Sequence, residues 1–173
     1  KIGMEARLEQ FESHTSFSWI YLIIYSGFLT GGFIGWNSPF WGGVLCGLLF
    51  IIFYGECTTR WRPLAKVLPK RPSQNVLGVF PNEETRRRVV LVAHYDTSRS
   101  GLSFHPSLVG SFRRSFLISV GVMLLLIEVL VIRLFGVEGS FLRLLWAASL
   151  LYLLLPVILL IHREMFGQYV QGA

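Results

Sequence analysis

Apolar residues in this chain gather into four blocks instead of alternating with polar ones. Residues 17–36 form the first; Asn37, Ser38 and Pro39 interrupt it, and residues 40–54 form the second. Residues 116–135 form a third block and residues 141–161 a fourth, separated by the short loop 136–140. About 20 apolar residues are needed for a helix to cross a bilayer's hydrocarbon core. The pattern therefore predicts four transmembrane helices arranged as two hairpins. Gly27, Gly31 and Gly35 recur every fourth residue in the first block, as do Gly43 and Gly47 in the second. Small residues at this spacing let two helices approach closely. Pro156 removes a backbone donor from the fourth helix and predicts a kink there.

Between the hairpins the pattern changes. Residues 75–80 (NVLGVF) and 88–93 (RVVLVA) are rich in β-branched and aliphatic side chains, and Pro81 to Thr85 between them is a turn signal. This predicts a β-hairpin whose second strand is buried on both faces. Two strands do not make a stable sheet alone, and no other segment reads as a strand by its pattern. The predicted organisation is a polar N-terminal segment (1–16), a first transmembrane hairpin (17–54) and a basic soluble segment carrying the β-hairpin (55–115). A second transmembrane hairpin (116–161) and a short C-terminal stretch (162–173) follow. The predicted class is a mainly α membrane protein with a small β segment.

Composition supports this. Of 173 residues, 53% are hydrophobic and only 15% charged, with a mean hydropathy of +0.55. That is more apolar than a water-soluble domain sustains. The net charge of +6 is concentrated between Arg60 and Arg114, where only Glu83, Glu84 and Asp96 oppose the basic residues. The positive-inside rule places this middle segment and both termini in the cytoplasm. The same rule and anionic headgroups explain the basic excess better than nucleic acid does, so membrane lipid is the expected partner and nucleic acid is not. The chain reads as a fragment, expected to be without a secretory signal peptide. Cys46 and Cys57, eleven positions apart on one helix, read as unpaired thiols. Trp19, Trp36, Trp41, Trp61 and Trp146 fall mostly near block ends, as an interfacial aromatic belt requires.

The recognisable chemistry lies at His94-Tyr95-Asp96, where the apolar run 89–92 ends. Residues i and i+2 of a strand share a face, so His94 and Asp96 project together. A neutral imidazole binds metal well, and a carboxylate beside it fixes its tautomer. The same pair also fits a plain His–Asp hydrogen bond closing a loop. His105 is a weaker candidate ligand, while His14 and His162 flank spans and read as interfacial. Glu128 lies inside the third block, where an ionisable residue is costly and a functional candidate by default. Arg133 and Arg143 are its expected partners.

Residues 73–79 (SQNVLGV), a turn, and residues 89–97 (VVLVAHYDT) closely resemble the family-28 metallopeptidases, the co-catalytic zinc aminopeptidases. The resemblance implies an α/β zinc-peptidase domain, here incomplete, with the β-hairpin as part of it. It implies that His94 ligates one of two zinc ions, that Asp96 is the catalytic-site carboxylate orienting His94, and that the substrate is a peptide. In that family two zinc ions polarise the peptide carbonyl and activate a water. Residues 169–173 (YVQGA) resemble the segment just before the family's bridging aspartate. The expectation is the N-terminal part of a membrane-inserted peptidase, inactive by itself because a catalytic zinc needs about three protein ligands. The competing expectation is a non-catalytic membrane scaffold or transporter-like protein that retains a degenerate peptidase hairpin.

Overall fold

The computed structural model describes residues 5–14, 16–79, 101–102 and 106–167. In chain order these form strand β1 (Glu5–Ser13), helices α1 (Ser18–Asn37), α2 (Pro39–Thr58) and α3 (Pro63–Val67), and strand β2 (Arg71–Val79). Helices α4 (Pro106–Val109), α5 (Phe112–Leu134) and α6 (Ser140–Phe166) follow. The four long helices coincide with the four apolar blocks, and each has the length and apolarity to cross a membrane. Twenty residues rise about 30 Å, the thickness of a hydrocarbon core.

Helices α1 and α2 are separated by Ser38 alone. Its N–H donates to the Ile34 carbonyl at 2.9 Å, and Pro39 opens α2 at a position that needs no donor. Helix α5 stops where Gly136 turns left-handed at φ +74° and its N–H donates to the Arg133 carbonyl at 3.1 Å. Both hairpin turns lie at one end of the bundle, the turn end. Helix α6 runs unbroken through Pro156.

Helix α1 packs on α2 and α6, and α5 packs on the same two helices, closing a four-helix up-and-down bundle. The core side chains share one spacing. Cys46, Leu49 and Phe53 of α2, Met123, Leu126 and Leu130 of α5, and Leu150, Leu153 and Val157 of α6 all follow i, i+3, i+7. From α1 come Ile24 and Phe28. The outward faces are apolar as well, with Phe33 65% and Leu151 73% exposed. Helices apolar on every side suit lipid rather than water. Several hydroxyls in the helices satisfy themselves locally: those of Thr30, Ser119 and Ser149 donate to carbonyls four residues back at 2.7–3.0 Å.

The close approach of α1 and α2 centres on Gly31, Gly35 and Gly42. A Cβ on Gly42 would lie 2.5 Å from the Gly31 carbonyl oxygen and 2.6 Å from the Gly35 nitrogen. Gly43 and Gly47, which the sequence pattern favours, do not make this contact: a Cβ on Gly47 would meet nothing within 4 Å. The repeat marks the helix pair, but the helix rotation that buries Cys46 and Leu49 brings Gly42 to the seam.

The sheet corrects an expectation. Strand β2 pairs antiparallel with β1, in the register Glu5↔Val79 through Ser13↔Arg71. The N-terminal polar segment therefore supplies a strand that its pattern does not reveal. Only Leu8 and Phe11 are large apolar residues in β1, and both remain exposed. A long-range partner, not local propensity, makes it a strand. The expected partner of residues 75–80, residues 88–93, lies outside the described residues.

Candidate functional site

The end opposite the hairpin turns, here the sheet end, gathers the chain's entries and exits. Strand β1 runs into α1, α2 runs through α3 into β2, and α6 finishes there. Two buried polar ties hold these segments together.

The first is Glu56, near the end of α2. Its carboxylate accepts the N–H groups of Leu64 at 2.7 Å and Ala65 at 3.1 Å, the first-turn donors of α3, and Arg62 Nε lies 4.0 Å away. A short helix whose opening amides lack partners of their own is capped by a carboxylate from its neighbour. Gly55 makes room, because a Cβ there would lie 2.5 Å from the Trp61 carbonyl oxygen. Strand β2 begins four residues past α3, so this tie sets where β2 leaves the bundle.

The second tie is Arg163, in the last turn of α6. Its Nη1 donates to the hydroxyls of Ser16 (3.1 Å) and Ser18, and it pairs with Glu164 at 3.5 Å. Its guanidinium lies 4.4 Å from the centre of the Phe17 ring. Ser16 in turn donates to Glu164 at 2.5 Å and accepts the Ser18 N–H at 3.1 Å. Serine, arginine and glutamate thus clamp the entry of α1 to the exit of α6. The stem of Arg163 also carries the segment following the His-x-Asp motif: a Cβ on Gly101 would fall 2.9 Å from Arg163 Cβ and Cγ. Only glycine allows that approach.

Strand β2 contains the Asn75-Val76-Leu77-Gly78 stretch of the metallopeptidase resemblance, with Asn75 opposite Glu9 and Leu77 opposite Arg7. His94, Asp96 and His105 lie outside the described residues. Among the described residues, no three metal-ligating side chains come together. His14 and His162 sit at the sheet end, each with a buried Nδ1 that makes no hydrogen bond. Cys46 is buried and Cys57 exposed, both as free thiols. Glu128 faces outward from α5. Its expected partners go elsewhere: Arg133 and Arg143 approach Glu138 at 3.7 and 3.9 Å. Glu128 points away from the bundle's interior, whereas Glu138 lies in the hairpin loop between the two arginines.

Glu56, Ser16, Ser18 and Arg163 are not singled out by sequence pattern. The available signal was positional: the charges of Glu56, Arg163 and Glu164 close long apolar helices, where an unpaired charge is costly. No family model, curated protein or solved structure matches the chain.

Proposed function

We propose that this chain is the membrane-embedded N-terminal part of a zinc-dependent peptidase, with the four helices as its anchor and the sheet as the edge of its peptidase domain. The observation that carries the reading is β2. The stretch that resembles the metallopeptidases is an extended strand that has, among the described residues, one antiparallel neighbour, β1; in this reading residues 88–93 form its neighbour on the other side. A strand antiparallel to β2 would run back toward the bundle, the direction in which Gly101 is found against Arg163. In this reading His94 holds the metal and Asp96 orients its imidazole, at the carboxyl end of a strand, where open α/β sheets place their sites.

The gene product extracted from its native membrane tests this through zinc content and hydrolysis of an aminopeptidase substrate. His94→Ala is expected to abolish turnover, and Asp96→Asn to cost about 10–100-fold in metal affinity or activity. The 173-residue chain alone is expected to show no turnover with added zinc, since one histidine and one carboxylate fall short of a catalytic ligand set. A gene product with neither zinc nor turnover, or one indifferent to His94→Ala, would instead establish the non-catalytic scaffold.

A further inference from the structure

At the turn end, Trp36, Arg133, Glu138, Gly139, Leu142 and Arg143 line a pocket of about 280 Å³. It forms where the last turns of α1 and α5 meet the first turn of α6. Arg133 is fixed there. Its Nη1 donates to the Gly35 carbonyl at 2.9 Å and its Nη2 to the Trp36 carbonyl at 3.1 Å, so it caps the C-terminus of α1. Its guanidinium lies 5.6 Å from the centre of the Trp36 ring, and each Nη keeps a second N–H. Arg143 reaches the same place from α6 on an exposed side chain. Glu138 sits between them at 3.7 and 3.9 Å, an approach by charge without a hydrogen bond. The Arg143–Glu138 pair, exposed on both sides, is of the weak kind.

Two guanidiniums against one carboxylate leave the pocket with an excess positive charge. The uncapped start of α6 at Gly139 faces the same pocket, while the carbonyl end of α1 is answered by Arg133. Exposed Trp36, Phe40, Trp41, Phe135 and Phe141 surround this end. In a membrane-embedded bundle, such a belt marks the headgroup level. The volume falls just below the usual small-molecule range, so it suits a headgroup rather than acyl chains.

We propose that this pocket binds a phosphate group, held by Arg133 and Arg143 and presented by a phospholipid headgroup. A guanidinium's planar fork matches phosphate oxygens. Glu138 is the built-in competitor that the phosphate displaces. The proposal takes the bundle as membrane-embedded, which reporter fusions test independently, and it does not depend on peptidase activity.

The test is native mass spectrometry of the detergent-purified full chain with short-chain phosphatidylglycerol, with the matching diacylglycerol as the phosphate-free control. Phosphatidylglycerol is expected to bind and diacylglycerol not to. Arg143→Gln should weaken binding about ten-fold, the value of one charge-assisted hydrogen bond. Glu138→Gln should strengthen it, an outcome that a misfolded variant would not produce. Competition with inorganic phosphate separates the sources: resistance assigns the pocket to lipid, and displacement assigns the phosphate site to the free anion. Equal binding of diacylglycerol, or affinity unchanged in both variants, would overturn the proposal.

Discussion

Glu56 shows how a single carboxylate sets the path of a chain. It is 7% exposed at the end of an apolar helix, a position that would be costly without partners. The two amides of α3 provide them. Glu56→Ala removes the one carboxylate oxygen, Oε1, that accepts both bonds, and leaves the N–H groups of half-buried Leu64 and buried Ala65 without it. The expected local cost is about 2 kcal/mol, read as a roughly thirty-fold rise in hydrogen exchange at these two amides. Glu56→Gln keeps an acceptor oxygen and should lose less. Exchange at Leu64 and Ala65 unchanged in the alanine variant would remove Glu56 as the cap. Arg133 and Arg163 follow the same logic: each is a charge at a helix end that donates to carbonyls or serine hydroxyls far away in sequence, besides pairing with a carboxylate close by in the chain. The residue types and their positions are visible in the chain, but their partners are not.

At the scale of elements, the long helices were legible because apolar length is a local property. So was the first hairpin, whose single-residue turn follows from Ser38 and Pro39. The helix seam was legible only in part. Gly31 and Gly35 meet α2 as their spacing predicts, but their counterpart is Gly42, not Gly43 or Gly47. Two substitutions separate these. Gly42→Ala drives a methyl into the α1 backbone and is expected to destabilise the bundle by about 3 kcal/mol, the upper end of the usual cost of overpacking. Gly47→Ala meets open space and should be neutral or gain up to about 1 kcal/mol of helix propensity. Unfolding of the detergent-solubilised protein in increasing sodium dodecyl sulfate compares them, and equal effects would contradict the seam. Strand β1 is the element the pattern concealed. Its charged residues, Glu5, Arg7, Glu9 and Glu12, read as a solvated segment, and its strand character comes from a partner more than fifty residues away.

For the whole molecule, the two ends of the bundle differ in charge. Arg60, Arg62, Lys66, Lys70, Arg71, Arg113 and Arg114 lie at or near the sheet end, while at the turn end Arg133 and Arg143 are offset by Glu138. By the positive-inside rule we propose that the sheet end faces the cytoplasm. A reporter fused after Arg71 should be active on the cytoplasmic side and one inserted after Glu138 on the opposite side; the reverse pattern would refute the orientation. The sequence by itself determined the number, order and approximate positions of the long apolar helices and the turns that pair them, since each is written in consecutive residues, although α2 and α6 run several residues past their apolar blocks and α5 begins four residues before its own. Only the tertiary structure decided that β1 pairs with β2, that Gly42 forms the seam, that Glu138 rather than Glu128 stands between the two arginines, and that Arg163 ties α6 to the entry of α1. Those outcomes depend on which distant groups come within reach once the helices pack, and no local pattern carries that information.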